Sequence, residues 1–221
     1  MHSPSGASGI DNQLKRLMKT PGTHGLTCKI IGIGGAGCNS VAAICSAGQK
    51  SNRGQTTDYV HVDLGTQSML PDQSICNESR PPITKIVLAH YGAGGRVNAA
   101  RAAALRNITV LNAAVSGAGT VILVAGLGGG TGAGVLPIIA RAARNAGAVT
   151  LAAVVMPFDF EGPRNEKAVT ALSYLEREVD FVMPFSNQEL GDSMGDGALL
   201  ADIHAQQDRR IIAWLQQFKL G

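Results

Sequence analysis

The most constraining feature of the sequence is the glycine-rich stretch GLGGGTGAG, from Gly126 to Gly134, which lies between two apolar runs. The run before it, Thr120–Ala125, has the composition of a buried strand, and a helical pattern opens near Val135. Glycine lets a chain turn tightly and lets a ligand approach the unpaired N–H groups of a helix N-terminus. So many glycines also cost backbone entropy on folding, which disfavours a plain turn. The stretch therefore predicts an anion site between a strand and a helix.

Strand-like and helix-like segments alternate along most of the chain, which is typical of a parallel sheet with crossover helices. The composition is 45% apolar, 16% charged and 4% aromatic, which suits a core of small aliphatic residues covered by helices on both faces. We predict an α/β fold with a three-layer, doubly wound, mostly parallel, Rossmann-like sheet. The predicted strands are Thr27–Ile33, Tyr59–Asp63, Thr84–Ala89, Val121–Ala125, Val149–Val155 and Phe181–Phe185. The predicted helices are Gly37–Ala47, Arg96–Ala114, Val135–Asn145, Glu166–Glu178 and Leu199–Leu220.

Two further glycine-rich loops follow predicted strands, IGIGGAGCNS and HYGAGGRVN. The carboxyl ends of parallel strands meet at one edge of a sheet, so all the glycine-rich loops are expected there. The first loop, from Gly32 to Gly37, fits the dinucleotide pattern G-x-G-x-x-G, and Asp63 supplies the acid that such a site needs. No lysine follows the glycines of the stretch Gly126–Gly134, so that stretch is not a P-loop. Several glycine loops at one edge favour a nucleoside triphosphate over a dinucleotide.

Other properties exclude several classes of function. The net charge of +3 is spread along the chain and indicates no nucleic-acid partner. Neither a signal peptide nor an apolar run of ~18 residues is present, so cytoplasmic residence is expected. The cysteines lack metal-site spacing and are predicted to be buried thiols: Cys28, Cys38, Cys45 and Cys76. Residues 1–24 are predicted to be a flexible tail with a short amphipathic turn at Asn12–Lys19.

Several motifs together resemble one family. The stretch GLGGGTGAG resembles the tubulin/FtsZ signature [G/A]GGTG[S/T/A]G, and GIGGAGCNSV is close to G-V-G-G-x-G-x-N-A-V. The segments VVMPFDFEGPR and VDFVMPFSNQEL are similar to K-P-F-x-F-E-G and V-D-x-x-I-x-I-P-N-x-x-L. The segment ALLADIHAQQDRR resembles the central helix that begins L-L-D-A-F. The resemblance covers about residues 27–215, and the chain is identified as an FtsZ-like member of the tubulin/FtsZ GTPase family.

The resemblance implies a site for GTP or GDP, with Mg²⁺ bound through the nucleotide and no separate metal site. The phosphates would lie on the glycine loops, formed by Gly34, Gly35, Gly37, Asn39, Gly65, Gly92, Ala93, Gly94, Gly95, Gly128, Gly129, Gly130, Thr131 and Gly132. The nucleoside would contact Glu161, Arg164, Asn187, Ile203 and Asp208. Of these, Glu161 would bind the ribose, and Asn187 and Asp208 would read guanine. A carboxylate accepts from both guanine N1–H and the 2-amino group, whereas adenine N1 offers no donor.

The departures from the family pattern concern catalysis. DLGTQ replaces the family's N-T-D-A-Q, so Gly65 stands where an acid near the γ-phosphate is usual, unless Asp63 takes part of its role. Asn165 stands at the position of a usual arginine, and Arg164 comes one residue early. The sequence reaches Gly221 without the family's acid-bearing loop, second domain and tail, so residues 25–221 are expected to form the GTP-binding domain alone. We expect GTP binding with slow or absent hydrolysis.

The last predicted helix has an apolar stripe formed by Leu200, Ile203, Ile211, Trp214, Leu215 and Phe218. Three interpretations remain: an ordinary core stripe, a surface for a homodimer or filament, or a membrane-surface contact flanked by Arg209, Arg210 and Lys219. The alternative function is a small NAD(P)-dependent oxidoreductase that uses the Gly32–Gly37 loop and Asp63. No Tyr-x-x-x-Lys pattern supports that alternative.

Overall fold

The computed structural model describes residues 27–48, 56–65, 81–195 and 197–217. The predictions for the tail 1–24, Asn12–Lys19, Cys76 and Phe218 lie outside the described residues.

The described strands form one sheet of six, in the order β3-β2-β1-β4-β5-β6. Each neighbouring pair is parallel. The chain winds outward in one direction through β2 and β3, and in the other through β5 and β6, so the switch point lies between β1 and β4. The strands are β1 (Thr27–Ile33), β2 (Thr56–Asp63), β3 (Ile83–Val87), β4 (Thr120–Gly126), β5 (Val149–Met156) and β6 (Phe181–Ser186).

Helices cover both faces of the sheet, which confirms the three-layer doubly wound α/β fold. The described helices are α1 (Gly34–Ser46), α2 (Val97–Arg106), α3 (Ile108–Val115), α4 (Gly130–Asn145), α5 (Pro163–Leu175), α6 (Asn187–Met194) and α7 (Leu200–Gln216). Side chains of α2 to α5 pack on one face of the sheet, and those of α1 and α7 on the other. None of the described helices is both long and apolar enough to cross a membrane.

The central strand β4 shows why the sheet is buried on both faces. Val121 and Leu123 belong to the core cluster on one face, and Ile122 and Val124 to the cluster on the other. Because strand side chains alternate between faces, a continuous apolar run is what a fully covered strand requires.

The apolar stripe of α7 is part of this core. Ile211, Trp214 and Leu215 are buried, and the Trp214 ring lies 6.3 Å from the Phe181 ring and 6.1 Å from the Phe185 ring. The interpretation as an ordinary core stripe therefore holds for these residues. Leu200, at the start of the helix, is an exception and is exposed.

Some element boundaries differ from the sequence-based prediction. Helices α1 and α4 begin at Gly34 and Gly130, several residues before the predicted starts, because their first turns consist largely of glycine, which has low helix propensity. The predicted helix Arg96–Ala114 is interrupted at Asn107, whose side-chain amide donates to Leu88 O and Ala103 O, both at 2.9 Å. Helix α6 was not predicted.

The described cysteines are buried thiols, as predicted: Cys28, Cys38 and Cys45. Burial raises the pKa of Cys28 and of Cys38 to about 12, so both remain protonated at neutral pH.

His61 is a buried ionisable group on β2. Its side chain is 7% exposed, and Nε2 has no hydrogen-bond partner among the described residues. Burial, together with the smaller effect of the positive charge of Lys85 on the neighbouring strand, lowers the pKa of His61 to about 4. The folded protein therefore holds this imidazole neutral.

We expect His61 to make the fold acid-sensitive. Below the unfolded pKa of about 6.5, the unfolded chain binds a proton at His61 that the folded chain does not, so the free energy of unfolding falls until the pH reaches about 4. The loss amounts to roughly 3 kcal/mol at most. Urea unfolding of wild type and His61→Leu across this pH range measures it, and the variant should lose much of the slope. His90→Gln, at an exposed histidine, is the control, and an equal slope in wild type and His61→Leu would contradict the assignment.

Candidate functional site

An open cavity of about 860 Å³ lies at the carboxyl ends of the strands, at the switch point between β1 and β4. Doubly wound sheets bind ligands at this position because neighbouring loops diverge there. The predicted site residues that line it are Gly34, Gly35, Asn39, Ala93, Gly94, Gly95, Gly128, Gly129, Gly130, Thr131, Gly132, Glu161, Arg164, Asn187 and Asp208. The cavity therefore brings together most of the residues that the sequence predicted.

Two helices begin at the floor of the cavity. Helix α1 follows β1 directly, and α4 begins at Gly130; neither N-terminus has a side-chain cap or an acidic residue in its first turn. The first N–H groups of a helix lack intrahelical partners and carry the positive end of the helix dipole. This part of the cavity therefore suits an anion.

Glycine holds the loops in contact with one another. A Cβ at Gly130 would lie 2.8 Å from both Ala93 Cβ and Arg96 N, in the loop that follows β3. Gly34 has φ +71°, which L side chains rarely adopt, and a Cβ there would lie 3.2 Å from Thr131 Cβ. The three glycine-rich loops thus meet only because these positions carry no side chain.

Four predicted site residues do not line the cavity: Gly37, Gly65, Gly92 and Ile203. Gly37 packs against the main chain of β4, where a Cβ would collide with Val124 O. Gly65 packs against the main chain of the loop that contains Gly92, since a Cβ at Gly65 would lie 3.1 Å from Gly92 N. Ile203 is buried against Phe158 and Leu190.

The cavity also has a polar part, lined by Glu161, Arg164, Asn187 and Asp208, which we call the polar end. The Glu161 carboxylate accepts from Phe158 N–H through Oε1 at 2.9 Å and from the Arg164 guanidinium through Oε2 at 2.8 Å. Arg164 therefore reaches the cavity although it lies one residue before the position of the family's usual arginine. Asn165 does not line it and donates to Asp159 at 3.0 Å instead.

Asp208 enters the polar end from α7. Its Oδ1 accepts from the Ser40 hydroxyl of α1 at 2.5 Å, which fixes the carboxylate between the two helices. Burial raises the pKa of Asp208, whereas the Ser40 hydrogen bond and the nearby His204 oppose the shift. The carboxylate retains accepting capacity toward the cavity, because each oxygen has two lone pairs.

Asn187 begins α6 and is only 6% exposed. Its Oδ1 accepts from the side-chain Nε2 of Gln207 at 3.2 Å, and Gln207 is itself 2% exposed. The Asn187 oxygen is therefore already engaged, and its amide nitrogen makes no hydrogen bond with the described residues.

Sequence motifs did not predict three polar residues that line this end: Ser40, His204 and Gln207. Helical periodicity offered a signal for one of them, because His204 lies one turn before Asp208 and shares its face. Gln207 had no such signal, because its importance depends on contact with Asn187 from a different element.

Comparison with known proteins identifies the family. The tubulin/FtsZ family GTPase domain matches residues 27–195, which is most of the chain. The chain belongs to the tubulin/FtsZ family. This match confirms the resemblance that the glycine loops and the segments VVMPFDFEGPR and VDFVMPFSNQEL indicated.

The chain is also similar to individual proteins, and the solved structures among them show the shared fold. The chain is 28% identical over 180 residues to the cell division protein FtsZ of Neisseria gonorrhoeae, covering 81% of this chain and 44% of that protein. An FtsZ dimer of M. jannaschii has a TM-score of 0.72 and 24% identity, covering 97% of this chain and 58% of that chain. CetZ2 from Haloferax volcanii, a GTPγS-bound protofilament, has a TM-score of 0.71 and 23% identity, with 87% and 58% coverage. The chain thus spans less than two thirds of the length of each.

Nothing supports the oxidoreductase alternative. Asp63, which a dinucleotide site would need at the ribose, does not line the cavity. Its Oδ1 accepts from Leu64 N–H at 2.6 Å.

We expect Gly130→Ala to destabilise the protein by roughly 1–3 kcal/mol, because the added methyl group would force apart two loops that are packed in contact. Urea unfolding monitored by circular dichroism measures the change. Gly129→Ala is the matched control, since its φ of −95° suits alanine and a Cβ there meets nothing within 4 Å. Equal stability of the two variants would show that the loops can separate without cost.

Proposed function

We propose that this chain binds GTP and GDP in the cavity, with Mg²⁺ carried by the phosphates. One observation carries the proposal: the cavity is lined both by two uncapped helix N-termini and by an amide and a carboxylate. The helix N-termini suit phosphate oxygens, and the amide and carboxylate offer the complementary groups for guanine. Membership of a GTPase family gives independent support.

The proposed orientation assigns a role to each group at the polar end. Asp208 accepts from guanine N1–H and the 2-amino group, Asn187 contacts the purine from the other side, and Glu161 and Arg164 lie beside the ribose. Adenine would place an acceptor, N1, against the carboxylate, so discrimination against ATP follows.

We further propose that the 221-residue chain hydrolyses GTP slowly by itself. Glu161 and Asp208 are the carboxylates among the described residues that line the cavity, and both lie at the polar end. Gly65, which stands at the position where the resemblance implied an acid, packs against the loop that contains Gly92. An acid near the γ-phosphate would therefore have to come from elsewhere, for example from a second molecule.

Self-association is the proposed cellular activity, in cell division, which is the role that the name of the N. gonorrhoeae relative states. Support comes from the similar solved structures, which include an FtsZ dimer and a CetZ2 protofilament. Helix α7 is not favoured as the contact, nor as a membrane surface, because its Trp214 is buried. Cytoplasmic residence remains a prediction.

Asp208→Asn should change which purine is bound. The asparagine amide can donate to the 2-oxygen of xanthine but opposes the 2-amino group of guanine, so GTP affinity should fall roughly 10- to 100-fold and XTP should become the better ligand. Isothermal titration with GTP, XTP, ATP and NAD in magnesium buffer measures this. Asp202→Asn, at an exposed aspartate of the same helix, should bind like wild type. Preferential NAD binding, or no nucleotide binding, would contradict the proposed function.

Phosphate release from GTP should be slow or absent in dilute wild-type protein, because the carboxylates that line the cavity among the described residues, Glu161 and Asp208, are the ones proposed to contact the nucleoside. Phosphate-release assays over a range of protein concentrations measure hydrolysis, and sedimentation of the same samples measures assembly. A rate per molecule that rises with assembly would support an acid supplied by a neighbour. Rapid release by protein that sediments as a monomer would contradict the proposal.

A further inference from the structure

A chain of side-chain hydrogen bonds connects the cavity to an arginine outside it. Arg210 donates to Oε1 of Gln207 at 3.4 Å, and Gln207 Nε2 donates to Oδ1 of Asn187 at 3.2 Å. Arg210 does not line the cavity, and its guanidinium lies 6.0 Å from the centre of the Phe185 ring. We call Arg210, Gln207 and Asn187 the amide relay.

The chemistry of arginine fixes the direction of this relay. A guanidinium group only donates, so Gln207 must turn its oxygen toward Arg210 and its N–H₂ group toward Asn187. Asn187 must then turn its oxygen toward Gln207, which leaves its N–H₂ group for the cavity. Turning either amide over would set donor against donor or oxygen against oxygen.

Burial makes that reversal costly. Gln207 and Asn187 are 2% and 6% exposed, so little water is available to satisfy a misdirected group. A buried polar group that loses its partner incurs its full desolvation penalty. The two amides therefore hold one orientation, although either amide alone could offer a donor or an acceptor.

We propose that Arg210 and Gln207 are positioning residues that force Asn187 to present a hydrogen-bond donor to the base, which selects purines with oxygen at position 6. This inference rests on the proposed binding of GTP and extends it. Asp208 reads the N1 and 2-amino side of guanine, and the relay reads the 6 position independently. An amino group at position 6, as in adenine, would meet another donor.

The test compares GTP with 6-thio-GTP, which keeps N1–H and the 2-amino group but has sulfur, a weak acceptor, at position 6. Wild type should bind GTP about 3- to 10-fold more tightly, the range expected for one hydrogen bond. In Arg210→Glu the new carboxylate accepts, so both amides should turn over and direct the Asn187 oxygen at the base. The preference for GTP should then fall to about one, whereas Arg210→Lys, which still only donates, should retain it.

Arg209→Glu is the matched control. Arg209 donates to Gln206 at 3.0 Å, which is the same pairing one residue earlier, but Gln206 does not line the cavity. The change in charge is identical, so any general weakening of triphosphate binding appears in both variants. The ratio of the two affinities should fall only in Arg210→Glu.

Each result has a distinct meaning. If wild type prefers GTP and Arg210→Glu keeps the same ratio, the relay is wrong while the proposed function stands. If wild type binds neither triphosphate, the relay and the proposed function are both wrong. Should circular dichroism show that Arg210→Glu is unfolded, Arg210→Gln replaces it, because glutamine can turn either way and should lower the ratio. An unchanged ratio in that variant would equally overturn the relay.

Discussion

The structure depends on the close approach of backbone at the switch point of the sheet. Helix α1 begins directly after β1 and α4 begins a short loop after β4, and their glycines bring the loops into close contact with neighbouring main chain. Side chains at Gly34 or Gly130 would separate these elements and move two helix N-termini away from each other. The cavity, its positive potential and the position of its polar end all follow from this contact.

The polar end is assembled across the molecule rather than within one motif. Ser40 of α1 holds Asp208 of α7, and Gln207 of α7 holds Asn187 of α6. Helix α7 can supply both contacts because Trp214 and Ile211 anchor its other side in the core. Packing of the apolar stripe and orientation of the polar groups are therefore two consequences of one helix position.

Buried polar groups in this protein act in two ways. Nε2 of His61 has no hydrogen-bond partner among the described residues, and the imidazole remains neutral, which makes it a source of acid sensitivity. In the amide relay, by contrast, Gln207 is hydrogen-bonded through both amide atoms and Asn187 through its oxygen, and the charged end at Arg210 determines the direction of the whole chain. A buried group without a partner affects stability, whereas a directed hydrogen-bond chain also determines what the cavity can recognise.

The sequence by itself determined the fold class, the family and most of the cavity, because glycine spacing and the alternation of apolar strand runs with helical patterns are local features that a doubly wound sheet requires. It could not determine where α1 and α4 begin, because glycine has low helix propensity and only the surrounding packing makes these turns helical. Nor could it place Gly37 and Ile203 outside the cavity, or connect Gln207 with Asn187. Tertiary structure decided these points, because a side chain's contacts depend on elements that are distant in the chain and adjacent in space.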